Sequence, residues 1–524
     1  MKAYLKDLLT LLFLCLPLLI YLILMSMYDV TLKTTAKEFL FNGAMLMLLL
    51  SVLFATTNRI VKFIFSIILL CFYSLLLIQV GVLYTFYNFI DKAVLYTLFE
   101  TNFNEVKGFI DSYFKWYYGV SVFVYFYIVV RIIFSYRFTL EKYKIVPLLL
   151  IFACIGVGYR FFERSVLLLS TNTYVEYQDY TSQLSKKITH KESTYFTNVE
   201  NDENEALYVV IIGESSSRRN MGIYDYYRDT NPKLSQLKDE LYLFNDVISP
   251  RTHTILSLDR VFSLGDFHNP ELNELGTIFQ LANQAGFTTY WLSNQEPLGL
   301  NETLVSLYAK ATHHQNFVTK TNKSSHKLDE VLFPLLDEVI QEKPSKKMIF
   351  LHLKGTHIFY WDAYPSHFSF FNDQPKTKFE SEEAFQIINA YDNAIRYNDF
   401  VVSEIIKKIR SKNTNSYVVY FSDHGDDVFQ DNNSFGHHEG IGTNAMYEVP
   451  FIVWLSEEYK QNSLDLNFQN KLNRKYTLED FIYSFSDLSR IRFDQFQPIK
   501  SIFNEQFIYK KRMVSPGVNY DERN

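Results

Sequence analysis

Long runs of apolar residues dominate the first third of the chain, whereas charged and turn-forming residues are concentrated after about position 165. A helix needs about 20 predominantly apolar residues to cross a bilayer. Five stretches meet that length, so the pattern predicts a five-helix transmembrane domain over residues 1–162. The predicted spans are Leu8–Met27, Phe39–Thr57, Phe63–Tyr84, Tyr117–Phe134 and Ile145–Phe162.

The first apolar run also has the form of a secretory signal peptide, because lysines precede it. No small-residue cleavage site follows it, and four more apolar runs do, so we interpret it as a retained anchor. Basic residues cluster at alternate ends of the predicted spans: Lys2, Lys6, Arg59, Lys62, Arg137, Lys142 and Lys144. The positive-inside rule then places the N-terminus in the cytoplasm and the segment after the fifth span on the outer side of the membrane.

The polar stretch at residues 163–205 predicts a juxtamembrane helix or linker. Beyond it, short apolar strand patterns alternate with helical patterns, which is typical of an α/β domain with a mostly parallel sheet. The predicted strands are Ala206–Ile212, Thr288–Leu292, Met348–Leu353, Tyr417–Phe421 and Pro450–Leu455, and the predicted helices are Glu271–Ala285, Leu328–Gln341 and Glu382–Ile409. We therefore expect an outward-facing α/β domain over residues 206–524.

The amino-acid composition argues against several classes of function. The net charge of −6 and the lack of a basic run interleaved with aromatic residues argue against nucleic acid as a partner. All three cysteines, Cys15, Cys71 and Cys154, lie in predicted spans. The predicted α/β domain therefore has neither a disulfide framework nor a cysteine metal site, and any metal there would depend on nitrogen and oxygen ligands.

Polar residues follow three of the predicted strands at the point where each strand ends. Glu214 follows the first strand, Thr356-His357 follows the third, and Asp423-His424 follows the fourth. In an open α/β sheet, ligands bind beyond the carboxyl ends of the strands, which meet at one edge. Carboxylates and imidazoles without cysteine suit zinc or another divalent metal, so the sequence predicts a metal site at this edge.

A hydroxyl nucleophile is predicted at Thr254. The apolar spacing that follows indicates a helix beginning near this residue, and a helix N-terminus favours an alkoxide and an incoming phosphate. Two simpler interpretations stay open, because a threonine at a helix start is commonly an N-cap and Ser422–Gly425 is compatible with a turn. We interpret His352 as a buried, hydrogen-bonded core residue and His253 as a flanking or surface residue.

An ordered set of motifs carries a resemblance to a known family. The motifs are Ile212-Gly-Glu-Ser-Ser-Ser-Arg218, Phe244-Asn-Asp-Val-Ile-Ser-Pro-Arg251, Gly355-Thr-His357, Tyr391-Asp-Asn-Ala394 and Ser422-Asp-His-Gly425. With the five predicted spans, they resemble the lipid-dependent phosphoethanolamine transferases of Gram-negative envelopes, in the alkaline phosphatase and sulfatase superfamily. The segments Val247–Thr254 and Asp423–Phe429 look closest to the branch that acts on the lipopolysaccharide core.

The resemblance implies a role for each matching residue in the outer domain. Four of them match the family's zinc ligands: Glu214, Thr254, Asp423 and His424. Thr254 also matches the family's nucleophile. His357 matches a histidine that contacts the donor phosphate or a second zinc.

Two further matches are implied outside this set. His437 best matches the other histidine of the family site, with the adjacent His438 as a rival. In the loop after the third span, Thr101 and Glu105 match positions implicated in handling the ethanolamine lipid. The donor would accordingly be phosphatidylethanolamine and the acceptor a lipopolysaccharide sugar, with zinc as cofactor.

The chain also departs from the family pattern. Thr97 stands where the family often has asparagine, and Asp426 where many members have glutamate. Many members carry a lysine just after the strand that ends near Asn294, where this chain has Gly299 and Leu300. The disulfides common in the branch that modifies lipid A are impossible here, which favours a core heptose as the acceptor.

The expected reaction is a two-step transfer through a phosphothreonine, at the periplasmic face of the bacterial inner membrane. A phosphoglycerol transferase or a phosphodiester hydrolase on the same scaffold is the first alternative. A sulfatase is disfavoured, because no cysteine or serine stands in a C/S-x-P-x-R context. The second alternative is a non-catalytic membrane protein that uses the outer domain as a binding module.

Overall fold

The structure is a computed structural model. It describes residues 2–27, 32–86, 89–90, 92–100, 115–136, 154–162, 165–297, 303–318, 328–357, 359–440, 442–462, 468–515 and 517–523. The chain forms two compact units: Met1–Leu98 with Glu105–Gln178, and Phe99–Asn104 with Asp179–Asn524. The first consists of apolar helices, and the second is an α/β unit.

The helices of the described residues are numbered in chain order. They are α1 Lys2–Leu14, α2 Leu16–Met27, α3 Leu32–Ala55, α4 Arg59–Phe86, α5 Lys92–Glu100, α6 Trp116–Ser135, α7 Val166–Ile188, α8 Pro232–Ser235, α9 Thr254–Val261, α10 Ile278–Gln284, α11 Leu304–Ala309, α12 Leu332–Gln341, α13 Glu382–Arg410, α14 Asn444–Tyr447, α15 Glu457–Gln461 and α16 Phe481–Leu488. Residues 154–160 are also helical. Helix α7 occupies the stretch predicted as a juxtamembrane helix or linker.

Three of the described helices, α3, α4 and α6, are long and apolar enough to cross a membrane. They fall where the second, third and fourth spans are predicted. The first predicted span is broken into α1 and α2, which are bent by 64°, so the described residues hold three candidate spans, or four if the bent pair counts as one. The first half of the fifth predicted span, Ile145–Phe162, lies outside the described residues.

Pro17 explains the break in the first span. Proline has no backbone N–H, so the carbonyl of Phe13 has no ordinary helical donor. The Tyr125 hydroxyl lies 3.3 Å from the carbonyl oxygens of Phe13 and Leu14, and the Tyr73 hydroxyl donates to Leu14 O at 2.6 Å. Side chains of α4 and α6 thus satisfy the carbonyls that the bend exposes, as a low-dielectric environment requires.

The strands of the α/β unit are also numbered in chain order. They are β1 Ala206–Gly213, β2 Leu241–Leu243, β3 Val247–Ile248, β4 Thr288–Ser293, β5 His314–Phe317, β6 Lys346–His352, β7 Ser416–Ser422, β8 Asp427–Val428, β9 Phe435–Gly436, β10 Phe451–Leu455, β11 Tyr476–Thr477, β12 Met513–Ser515 and β13 Val518–Asn519. All five predicted strands are present, with ends shifted by one or two residues.

Seven strands form the central sheet in the order β2-β10-β7-β1-β6-β4-β5. Strands β7, β1, β6, β4 and β5 are parallel, whereas β10 runs antiparallel to both β7 and β2. The prediction of a mostly parallel sheet is therefore confirmed. In β1, Tyr208 and Val210 face one hydrophobic core and Leu207 and Val209 the other, so both faces of the sheet are covered.

One predicted helix, Glu271–Ala285, is wrong as a single element. The structure has a short 3₁₀ helix at Pro270–Glu274 and then α10, which starts with a capping box of Thr277 and Gln280. The chain turns at Gly276, where an added Cβ would lie 2.4 Å from the ring of Phe196. The capping box marks Thr277 as a separate helix start, so the helical pattern over residues 271–285 contains two elements rather than one.

We expect Gly355→Ala to destabilise the α/β unit more than Gly517→Ala. Both glycines have positive φ, +56° and +75°, so both alanines are strained by about 1–2 kcal/mol. At Gly355 an added Cβ would also lie 2.7 Å from the carbonyl oxygen of Glu214, whereas nothing lies within 4 Å at Gly517. Overpacking should add about 1–3 kcal/mol at Gly355, measurable by denaturant unfolding. Equal losses would contradict this.

Candidate active site

The register of the sheet brings two strand ends side by side. Gly213 of β1 pairs with Ser422 of β7, and the next residue of each strand carries a carboxylate, Glu214 and Asp423. The backbone N–H of Asp423 donates to Gly213 O at 3.1 Å, which continues the ladder past the strand end. The two side chains therefore leave the sheet at the same level, as the sequence predicts.

A threonine hydroxyl lies between these groups. Thr254 Oγ1 is 3.2 Å from both carboxylate oxygens of Glu214 and 3.3 Å from His424 Nε2. His424 Nε2 lies 3.3 Å from Glu214 Oε1 and 3.4 Å from Asp423 Oδ2. One ligand atom from each of Glu214, Asp423 and His424 lies within 4.8 Å of the others, close enough to bind a single ion.

The structure excludes an N-cap role for Thr254. The N-cap of α9 is His253, and Thr254 is the first residue inside the helix. Its hydroxyl contacts Glu214 and His424 rather than a backbone amide of its own helix. Ser257, further along α9, donates to the carbonyl of Asp423 at 2.5 Å and ties the helix to the end of β7. The hydroxyl is thus held against the carboxylate cluster.

The donor set fits a divalent metal. Glu214 and Asp423 are 1% and 0% exposed, and Asp423 Oδ2 lies 3.4 Å from His424 Nε2. Burial raises the pKa of Asp423, and the charge of Glu214 adds to the shift. Burial would lower the pKa of His424, but the charges of Asp423 and Glu214 outweigh it and raise that pKa. A cation between these groups would offset the negative charge of the buried carboxylates.

A second group of possible ligands adjoins the first, formed by His424, Asp426 and His437. His437 Nδ1 lies 2.7 Å from Asp426 Oδ1, and the rings of His424 and His437 are 4.1 Å apart. With a carboxylate as partner, Nδ1 of His437 is the donor and Nε2 keeps the lone pair. Tyr360 donates to the other oxygen of Asp426 at 2.6 Å.

The remaining histidines lie around this group. His357 follows β6, and its imidazole lies close enough to lower the pKa values of Glu214, Asp426 and His437. His437 lies beside His424. The ring of His438 instead lies edge-on to that of His253, with the ring centroids 6.3 Å apart. Of the two candidate histidines, His437 is therefore the one that lies in the cluster, rather than His438. The roles of these histidines stay predictions.

His352 and His253 differ in their surroundings. His352 is buried, with its Nδ1 3.2 Å from Ser293 Oγ, which confirms it as a hydrogen-bonded core residue. His253, predicted to be a flanking or surface residue, is half-buried and flanks the cluster, with its ring 4.9 Å from that of His437 and its Nε2 buried. Burial and the neighbouring histidines lower the pKa of His253. Its position before a helix that faces the cluster draws it inward.

The sequence reasoning missed two residues that contact Glu214. Ser215 donates to Glu214 Oε1 at 2.9 Å, and Gln295 donates to Glu214 Oε2 at 3.2 Å. Gln295 lies just after β4, near where many members of the resembled family carry a lysine. Thr101 and Glu105, predicted to handle the lipid, lie outside the described residues.

The fold and the site together define an α/β protein of the alkaline phosphatase and sulfatase class. A sequence profile of the Sulfatase family matches residues 206–491. The chain therefore belongs to the Sulfatase family.

Curated relatives of the chain include phosphoethanolamine transferases. The chain is 33% identical over 316 residues to phosphoethanolamine transferase EptC of Escherichia coli (strain K12), with 58% of this chain and 54% of the relative covered. It is 30% identical over 316 residues to phosphoethanolamine transferase CptA of Salmonella typhimurium, with the same coverage. The matched part of the chain thus spans about half the length of these relatives.

Two solved structures resemble the chain. The C-terminal periplasmic domain of Escherichia coli EptC, in complex with Zn, is 31% identical with a TM-score of 0.59, covering 62% of this chain and 96% of that domain. The integral membrane protein EptA from Neisseria meningitidis has a TM-score of 0.66 over 92% of this chain and 95% of that one, at 18% identity. The second likeness supports the fold, with an apolar helical region before the α/β unit.

We expect Tyr360→Phe to destabilise the protein by about 1–3 kcal/mol, because it removes a donor from the buried carboxylate of Asp426. Tyr509→Phe is a matched control, since the exposed Tyr509 donates to the carboxylate of Asp521 at 2.9 Å. The control should change stability by less than about 0.5 kcal/mol. Chemical denaturation of both variants checks this, and a Tyr360 variant as stable as the control would refute it.

Proposed function

We propose that this chain transfers phosphoethanolamine from phosphatidylethanolamine to a sugar of lipopolysaccharide, a core heptose in the first instance. The observation that carries the proposal is the Thr254 hydroxyl, held between Glu214 and His424 at the start of a helix. The named activities of the EptC and CptA relatives support the transferred group. A non-catalytic binding module would not require a hydroxyl in this setting.

Zinc is the proposed cofactor, with Glu214, Thr254, Asp423 and His424 as its ligands. When bound, zinc would act as a Lewis acid that lowers the pKa of the threonine hydroxyl and offsets phosphoryl charge. Buried nitrogen and oxygen donors without cysteine suit this ion. The zinc in the Escherichia coli EptC domain supports the assignment.

In the first step, Thr254 Oγ1 attacks the phosphorus of the lipid. The Oγ1–P bond forms, the bond from phosphorus to the diacylglycerol oxygen breaks, and diacylglycerol leaves with a proton. The hydroxyl of Thr254 donates to Glu214, so that carboxylate is the nearest acceptor for the proton that Oγ1 loses. The product is phosphoethanolamine esterified to Thr254.

In the second step, a sugar hydroxyl attacks the phosphothreonine. The new O–P bond forms, the P–Oγ1 bond breaks, and the proton lost by the sugar hydroxyl is balanced by the one that Thr254 Oγ1 takes up. His357 and His437 are the proposed partners of the phosphoryl oxygens, because they flank the carboxylate cluster from two loops. Stabilising that charge is the main task in phosphoryl transfer.

The membrane unit has a proposed part in this reaction, because the donor is itself a lipid. We place residues 1–162 in the bacterial inner membrane as a multi-pass domain, residues 163–205 as the connection, and residues 206–524 in the periplasm. The candidate spans among the described helices and the positions of the basic residues support this arrangement. Thr101 and Glu105 remain proposed contacts of the ethanolamine lipid.

Intact-mass measurement after incubation with phosphatidylethanolamine tests the nucleophile and the donor together. Wild type should gain one phosphoethanolamine, and Thr254→Ala should gain none. Thr252→Ala is the matched control, because Thr252 contacts Glu439 and should leave the adduct intact. An adduct on Thr254→Ala would refute the nucleophile, and a phosphoglycerol adduct from phosphatidylglycerol alone would make the chain a phosphoglycerol transferase.

Zinc removal tests the cofactor independently of turnover. A chelator should lower the thermal unfolding midpoint of wild type, because a ligand at 100-fold above its Kd stabilises the folded state by about 2.7 kcal/mol. Asp423→Asn replaces one proposed ligand by a neutral amide of the same size, so it tests whether the zinc effect depends on this carboxylate. Zinc should then no longer raise its midpoint. A wild type whose midpoint ignores zinc would contradict the assignment.

A further inference from the structure

Ser215 has a backbone conformation that a serine adopts rarely. Its φ is +59°, in the left-handed region that costs a non-glycine residue about 1–3 kcal/mol. The Tyr391 hydroxyl holds it there, donating to Ser215 O at 2.7 Å and accepting from Ser217 N at 2.8 Å. Strain that surrounding bonds maintain in this way clusters at functional sites.

The turned backbone aims two donors of one residue at two different carboxylates. Ser215 Oγ donates to Glu214 Oε1 at 2.9 Å, and Ser215 N donates to Asp423 Oδ1 at 3.1 Å. An ordinary extended conformation at this residue would point its N–H and its side chain elsewhere. The strain therefore has a geometric result: a single residue fixes the relative positions of Glu214 and Asp423.

Gln295, in the loop after β4, contacts the other carboxylate oxygen of Glu214. Its Nε2 donates to Glu214 Oε2 at 3.2 Å and to Leu353 O at 2.8 Å. The second bond anchors the amide to the end of β6, so the group that reaches Glu214 is itself fixed. Each oxygen of the Glu214 carboxylate thus has a donor outside the predicted ligand set.

We propose that Ser215 and Gln295 are positioning residues, which hold Glu214 and Asp423 in the orientation that a metal ion requires. The inference rests on the proposed zinc site. A carboxylate that binds a metal through one oxygen leaves the other in need of a donor, and such partners orient the ligand. With both oxygens already held, the carboxylate loses little rotational freedom when the metal binds.

Two substitutions distinguish the contribution of the Ser215 hydroxyl from that of the strained backbone. Ser215→Ala removes the hydroxyl and keeps the strain, whereas Ser215→Gly removes both. We expect both variants to lose zinc affinity by the same factor, about 10-fold or more, in competition with a chromophoric chelator. Their zinc-free unfolding midpoints should differ, with the glycine variant the higher of the two.

Ser216→Ala is the matched control. Ser216 is also buried, but its hydroxyl contacts Glu214 O and Thr356 Oγ1 rather than a carboxylate. Its zinc affinity should stay within about 2-fold of wild type, well inside the change expected when an orienting partner is lost. A loss of affinity as large as that of the Ser215 variants would overturn the proposal, because any buried hydroxyl there would then matter equally.

Two substitutions test whether the Gln295 amide acts as a donor to Glu214. Gln295→Leu removes the donor to Glu214, and Gln295→Glu replaces it with a second negative group. Zinc affinity should fall in Gln295→Leu by about 10-fold. It should not recover in Gln295→Glu unless the new carboxylate becomes a ligand, which would overturn the positioning role.

The outcomes separate this inference from the zinc assignment. If wild type does not bind zinc, the proposed cofactor fails. If wild type binds zinc and the Ser215 and Gln295 variants bind it equally well, only the positioning role fails. If affinity follows the unfolding midpoint across the variants, the residues act through stability alone, and the positioning role is likewise refuted.

Discussion

The parallel pairing of β1 with β6 on one side and β7 on the other is the constraint on which the site depends. Backbone hydrogen bonds fix that register, with Ile212 opposite His352 and Gly213 opposite Ser422. A carboxylate placed one residue after β1 must then meet one placed one residue after β7. Neither side chain can be moved without shifting a strand that is buried on both faces.

The same register concentrates negative charge where water is excluded. Glu214 and Asp423 are almost fully buried, and Asp426 lies three residues beyond Asp423 with its own partners. Among the described residues, their side-chain partners include the imidazoles of His424 and His437, the hydroxyls of Ser215, Thr254 and Tyr360, and the amide of Gln295. Such donors orient the carboxylates without neutralising them fully, which leaves the cluster with an electrostatic demand for a cation.

Much of this arrangement could be predicted from the sequence. The strands are mostly apolar runs, and Glu214, Asp423 and His424 follow the ends of β1 and β7, so topology places them together. The separate start of α10 has a local signal in the sequence, the capping box of Thr277 and Gln280, which the apolar periodicity alone does not reveal. By contrast, the contact of Gln295 with Glu214 depends on where a loop turns after β4, which local patterns do not determine.

The bent first helix pair has a consequence for how the membrane unit is assembled. The carbonyls freed by Pro17 are satisfied by hydroxyls of Tyr73 and Tyr125, which are synthesised about 60 and 110 residues later. In a bilayer, a carbonyl without a donor costs several kcal/mol. If the candidate spans enter a membrane in chain order, the bent pair would gain both donors only after α4 and α6 have followed it.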